Sequence, residues 1–219
     1  MAIICAVTNS NGSVYYALMQ TYGDDIDCAC MPILAINDGP FLTLVALGAS
    51  GLADIPIMSL VAALVPIIAG MILGNLDNKV TEFFGPVGDA IIPFTGFSLG
   101  AGIDLANVLK GGVSGIVLGL ITIFIGGGFI YLCDHFIGRR PGYAAWAVAT
   151  TAGNAVAVPA VIGTADPAWA EFVGTATVQV AASTVLSALL VPFIVSWWAK
   201  KFGCPKFPKE AKAEKASGK

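Results

Sequence analysis

Apolar residues run through this chain in long blocks, broken by short polar clusters. Seven blocks are long enough, at about 20 residues, to cross roughly 30 Å of hydrocarbon as helices. They lie near 1–22, 29–50, 55–75, 86–104, 112–134, 143–164 and 170–199. The joining segments hold turn formers: Gly23-Asp24-Asp25, Gly51 to Asp54, Asn75 to Asn78, Gly111-Gly112, Arg139 to Gly142 and Asp166-Pro167. Residues 200–219 are polar and lysine-rich, and read as a disordered, solvated tail.

Two blocks are interrupted near their middle. Thr8-Asn9-Ser10-Asn11-Gly12-Ser13 divides the first, and Thr150-Thr151-Ala152-Gly153-Asn154 to Pro159 divides the sixth. Hydroxyl and amide side chains compete for backbone partners, and Pro159 removes a donor and disfavours helical geometry at Val158. Each interruption predicts a broken helix with two halves meeting near mid-membrane. The alternatives are a polar N-terminus before an ordinary helix and a simple proline kink. Thr-x-x-Asn followed by a small residue occurs at Thr8/Asn11/Gly12 and again at Thr151/Asn154/Ala155. Each copy precedes an apolar helix with its own polar group, Asn37-Asp38-Gly39-Pro40 in one case and Gln179 in the other. Five span steps separate the copies, so they cross in opposite senses. That is the pattern of an inverted-repeat secondary transporter.

Composition narrows the class. The chain is 57% hydrophobic and only 11% charged, with a net charge of -3, against about 25% charged in soluble domains. A soluble enzyme, a disordered chain and a nucleic-acid binder are all excluded. Positive charge favours the cytoplasmic side. A cytoplasmic C-terminus places ten of the eleven Lys and Arg residues inside, leaving only Lys110 outside. The acidic Asp24, Asp25 and Asp27 also fall inside, which argues weakly the other way.

Ionisable groups at bilayer depth are costly and point to function. Asp38 lies about ten residues into its block with no basic residue nearby, which suits reversible protonation. Gly100-Ala101-Gly102-Ile103-Asp104 would let helices approach closely, with Asp104 either interfacial or functional. Asp89, Asp134 and His135 read as boundary residues. The five cysteines and one histidine give no metal set, and no nucleophile or carboxylate pair has the spacing of an enzyme site. Neither catalysis nor a cofactor is expected. The chain starts at Met1 already inside an apolar run with no basic flank, which reads as a truncation or a misplaced start.

The segments Thr8-Asn9-Ser10-Asn11-Gly12, Asn37-Asp38-Gly39-Pro40-Phe41, Leu73-Gly74-Asn75-Leu76-Asp77, Ile92-Pro93-Phe94, Gly100 to Asp104, Thr151 to Ala157 and Gln179-Val180-Ala181-Ala182-Ser183 resemble the bacterial 2-keto-3-deoxygluconate permease family in order and spacing. The resemblance extends to about Lys201. It implies an all-α polytopic membrane fold of ten spans in two inverted repeats of five, with two broken helices crossing at the site. On that scheme residues 1–50 are the last two helices of the first repeat, 55–199 the complete second repeat, and 200–219 the tail; three helices are absent. The implied activity is proton-coupled import of 2-keto-3-deoxygluconate across the bacterial inner membrane, with the lipid bilayer, the sugar acid and protons as partners. A homo-oligomer is left open. Asn9, Ser10, Asn11, Gly12, Thr151, Gly153, Asn154 and Gln179 are the expected substrate contacts, and Asp38 with Asn37 the proton-coupling pair. Two readings stay open beside it: sodium-coupled transport of another organic anion, and an inactive fragment.

Overall fold

A computed structural model describes residues 1–37, 39–84, 86–87, 94, 97 and 105–208. The regular elements among them are helical, and the one extended pairing is an isolated bridge between Cys204 and Phe207. The expected all-α class therefore holds. Asp38, Asp89, Ile92, Pro93, residues 100–104 and the tail from 209 lie outside the described residues.

Helices follow the apolar blocks. Residues 1–22 form α1 (Ala2–Val7) and α2 (Gly12–Tyr22), separated by the predicted polar interruption. After the single turn α3 (Asp25–Cys28), the second block forms α4 (Met31–Asn37) and α5 (Pro40–Ala49). The third forms α6 (Ile57–Leu76), followed by α7 (Asn78–Phe84). The fifth is α8 (Leu105–Leu120), a π-helical stretch Ile121–Gly126 and α9 (Gly127–Phe136). Gly112 bends α8 with a φ of +58°, where the Gly111-Gly112 junction is predicted. The sixth is α10 (Tyr143–Val148), a 3-10 turn Asn154–Ala157 and α11 (Val158–Ala165). A 3-10 turn Pro167–Phe172 then leads into α12 (Val173–Phe202).

Among the described residues two helical stretches are long and apolar enough to cross a membrane, Gly112–Phe136 and Pro167–Phe202. Leu60–Leu76 with Asn78–Phe84, bent by 116°, makes a third if taken as one span. The count falls short of the seven expected because three blocks are divided into half-helices and the fourth block, 86–104, is largely outside the described residues.

Pro159 does not stop the chain from turning. Val158 is helical and Pro159 sits in the first turn of α11, where its absent N–H has no helical partner to lose. α12 carries Lys200 and Lys201 in its last turn, and residues 203–208 are placed beyond it.

α12 is the spine. Its 30 residues extend about 45 Å. α8 lies close against it because glycine faces it: a Cβ on Gly115 would fall 2.6 Å from the Ala182 Cβ, and one on Gly119 2.8 Å from Leu186 Cδ2. At one end of the bundle Asp166 accepts from the Asp54 amide at 3.0 Å, and the Trp169 indole donates to Leu52 O at 3.0 Å. At the other end the Trp198 indole donates to Pro141 O at 2.7 Å, and Lys206 reaches the Gln20 carbonyl. Two buried apolar clusters separate these ends. One gathers Cys5, Leu44, Leu47, Ala155, Val158 and Ile162; the other gathers Tyr15, Met19, Ile123, Tyr143, Val191 and Val195. The helix breaks lie between them.

Candidate functional site

At the first break, residues 8–11 leave the helix and their backbone groups need new partners. Asn9 is fully buried and supplies several. Its amide nitrogen donates to Cys5 O at 2.8 Å, closing the end of α1, and to Thr43 Oγ1 on α5 at 3.0 Å. Its amide oxygen accepts from the Gly39 N–H at 2.9 Å. Asn37 donates to Ser10 Oγ at 2.8 Å. Asn11 caps α2 by accepting from the Val14 amide at 3.0 Å. Gly39 has a φ of +148°, a conformation L side chains rarely adopt, and Pro40 opens α5 immediately after it. The chain on both sides of Asp38 is thus fastened to the first break; Asp38 itself lies outside the described residues.

The second break is caught by α12. The Thr151 N–H donates to Ser187 Oγ at 3.0 Å, and the Thr151 hydroxyl pairs with the Ser183 hydroxyl at 2.8 Å. Thr184 donates to Ala152 O at 3.1 Å. Thr151, Ser183 and Ser187 are fully buried, so these contacts replace water.

The two breaks also bond to each other. The Ala152 N–H donates to Asn9 O at 2.7 Å. The Asn11 N–H donates to Thr150 Oγ1 at 2.9 Å. The Thr151 hydroxyl lies 3.4 Å from Ala6 O. Of the residues singled out from the sequence, Asn9, Ser10, Asn11 and Thr151 meet here, with Gly12 and Gly153 beside them and Asn37 reaching in from α4. Asn154 begins the 3-10 turn and is exposed. Gln179 donates to Ser114 Oγ on α8 at 3.1 Å. α2 and the 3-10 turn that leads into α11 begin at this crossing, and helix N-termini favour anionic groups.

A second polar centre was not anticipated. Arg140 Nη2 lies 3.2 Å from Asp24 Oδ2, 3.1 Å from the Asp27 carboxylate and 3.2 Å from the Tyr143 hydroxyl. Tyr143 donates to Asp27 at 2.6 Å, and the Tyr15 hydroxyl donates to Asp27 O at 2.9 Å. Asp24 and Asp27 form a capping box on α3. The Asp27 N–H, and then the nearby Arg140 guanidinium, hold the Asp24 carboxyl below the usual carboxylate range despite some desolvation. Burial would lower the Arg140 pKa, but the Tyr143 hydroxyl and the Asp27 charge outweigh it and raise it. This clasp joins the far end of α2 to the start of α10, the halves of the two broken helices that lie at one end of the bundle. It also puts the loop of Asp24 to Asp27 at the same end of the bundle as Arg140.

Comparison with known proteins identifies the family. The 2-keto-3-deoxygluconate permease family profile matches residues 1–204. The chain is 50% identical over 201 residues to 2-keto-3-deoxygluconate permease 1 of Salmonella typhimurium, covering 92% of this chain and 63% of that protein. It is 37% identical over 201 residues to the 2-keto-3-deoxygluconate permease of Xanthomonas euvesicatoria, with the same coverages of 92% and 63%. Against the Bacillus subtilis 2-keto-3-deoxygluconate permease it is 37% identical over 201 residues, covering 92% and 61%. The chain therefore spans somewhat less than two thirds of the length of these curated relatives. No solved structure matches it. The match over nearly all of its length places the chain in the 2-keto-3-deoxygluconate permease family.

Proposed function

We propose that the chain is part of a secondary active transporter that imports 2-keto-3-deoxygluconate with protons across the bacterial inner membrane. The observation that carries this reading is the pair of helix breaks hydrogen-bonded to each other between two apolar clusters. Family membership names the substrate class. In this reading the blocks make seven spans, the C-terminus is cytoplasmic, and the two broken helices belong to inverted repeats.

The chemistry suits a small sugar acid. N-terminal ends of half-helices receive its carboxylate, and Ser10, Asn11, Thr151 and Asn154 meet its hydroxyls. Asn9, Gly12 and Gly153 shape the crossing, and Gln179 contributes from α12. Moving an anion inward against a negative-inside potential costs about 2.3 kcal/mol per charge per 100 mV. One proton cancels that charge, and a second drives accumulation. Asp38 is the carrier in this scheme, with Asn37 beside it. Alternating access moves one helix group against the other, and such motion must open the clasp between α2 and α10.

Uptake of labelled sugar acid by the full-length protein under an imposed pH gradient tests this. Asp38→Asn is expected to abolish proton-driven uptake, and normal pH-dependent uptake by that variant removes Asp38 from the mechanism. Asn154→Ala is expected to weaken apparent affinity, and an unchanged value removes it from the site. Replacing sodium by choline separates the coupling ions: loss of uptake in choline rejects proton coupling.

A further inference from the structure

Next to the clasp, and sharing Arg140 with it, lies a cavity of about 510 Å³ that the transport reading does not use. Its walls are Tyr131 and His135 from α9, Arg139 and Arg140 from the following loop, and Trp198 and Phe202 from α12. Tyr131 and His135 fall in the last six residues of the apolar stretch Gly112–Phe136, and Trp198 and Phe202 in the last five of Pro167–Phe202. The cavity therefore sits where both stretches end.

Three features mark it as a built site. First, its rings are packed into a fixed wall: Tyr131 stacks on His135 at 5.6 Å, meets Trp198 edge-on at 5.0 Å, and Trp198 contacts Phe202 at 4.4 Å between centroids. The Trp198 indole is locked by its bond to Pro141 O at 2.7 Å. Aromatic rings with one wet edge belong at headgroup level. Second, the cations divide their work. Arg140 Nη2 is engaged by Asp24, Asp27 and Tyr143, whereas Arg139 is exposed and has no ion-pair or hydrogen-bond partner among the described residues. Third, Arg139 has a φ of +52°, the one positive φ of a non-glycine residue among those described. That conformation is strained for an arginine and free for a glycine, so the side chain is kept there at a cost in stability.

We propose that this cavity binds a phosphate group, that of an anionic phospholipid headgroup at the membrane face, with Arg139 as the main cation and His135 as a second donor. Basic pockets between membrane helices receive such headgroups, and the aromatic wall lies against the first carbons of the lipid. The inference needs the two stretches to span a membrane; it does not need the transport reading.

The test compares the full chain with its Arg139→Gly variant, which deletes the cation and relaxes the backbone, so loss of fold is not expected. Retained lipid is counted by native mass spectrometry after exchange into phosphatidylglycerol or phosphatidylcholine, with inorganic phosphate as a third arm. The wild-type chain is expected to prefer phosphatidylglycerol, and Arg139→Gly to weaken that retention about fivefold, the weight of one basic residue at an anionic surface. Its thermal midpoint without lipid is expected to be equal or higher. Equal phosphatidylglycerol retention by both proteins overturns the proposal, as does equal retention of the two lipids by the wild type. Displacement of bound lipid by inorganic phosphate supports the phosphate chemistry. Phosphate binding with no preference for phosphatidylglycerol overturns the lipid as its source.

Discussion

Asp27→Asn isolates the charge in the clasp, because the amide keeps the shape of the carboxylate and one acceptor oxygen. The Asp27 side chain is 3% exposed and the Arg140 side chain 29%, so the pair lies between a buried and a surface bridge. Breaking a buried pair costs about 3–5 kcal/mol, and an exposed pair contributes about 0–1 kcal/mol. Asp27 also accepts the Tyr143 hydroxyl at 2.6 Å and the Asp24 amide at 3.1 Å. A hydrogen bond to a charged group contributes about 1.5–3 kcal/mol, against about 1 kcal/mol for a neutral one. The amide can keep the two hydrogen bonds in weaker form but leaves Arg140 with Asp24 as its one charged partner in the clasp. The expected loss is about 2 kcal/mol. The assay is reversible unfolding of the full chain in mild detergent, followed by circular dichroism, in a cycle with Arg140→Gln. Because the two side chains are in contact, the cycle should show about 1–2 kcal/mol of coupling. Distant sites add to within about 0.5 kcal/mol. A coupling inside that margin, or an Asp27→Asn variant as stable as the wild type, refutes the clasp as a stabilising unit.

The same clasp sets a pH dependence. The folded Asp24 pKa is depressed from the ordinary 3.8, so its contribution is full above that value and is lost as pH falls through the lower folded value. Unfolding midpoints should therefore fall in that acid range for the wild type and less steeply for Asp24→Asn; parallel pH profiles would reject the assignment. Gly115→Ala puts a methyl 2.6 Å from the Ala182 Cβ and should cost about 1–3 kcal/mol, while Gly128→Ala, with nothing within 4 Å, should be close to neutral. Equal thermal midpoints for the two variants would contradict the close approach of α8 to α12. Thr151→Val removes the hydroxyl that pairs with Ser183 at 2.8 Å and should cost about 1–2 kcal/mol, whereas Thr151→Ser should retain most of it. A loss in thermal stability for Thr151→Ser with none for Thr151→Val would show that the methyl, not the hydroxyl, matters.

The breaks were legible because they violate the rule of their surroundings. Amide and hydroxyl side chains in an otherwise apolar block have no reason to be there unless they bond backbone that the helix has released. Their partners were not legible. The repeated Thr-x-x-Asn pattern pointed to Asn11 and Asn154 as twins, yet Asn9 is the buried hub, Asn11 is a cap and Asn154 is exposed. Nothing local distinguishes Asn9 from Asn11; the difference comes from Gly39 and Thr43, some 30 residues away. The clasp was hidden for the same reason. Asp24, Asp27 and Arg140 all stand in turns, where charges usually meet only water, and over 110 residues separate the acids from the arginine. The glycine face at Gly115 and Gly119 did carry a local signal, since small residues four apart mark close helix contacts.

The distribution of polar contacts divides the molecule by strength. At the crossing the described contacts are between neutral groups: amides, hydroxyls and backbone. Each contributes about 1 kcal/mol net, and a sugar hydroxyl can take the place of any of them at little cost. In the proposed transporter, binding at the crossing is then an exchange of partners. The charged contacts described lie at one end, where Arg140 fastens α2 to α10. In the proposed transporter, motion at the crossing is cheap and motion at the clasp is dear, so the clasp sets which end stays shut. The segment around Asp38 is tied to the crossing by Asn37 on one side and Gly39 on the other. A rearrangement at Asn9 and Ser10 therefore pulls on that segment, and in the proposed transporter this would be the mechanical link between substrate and proton.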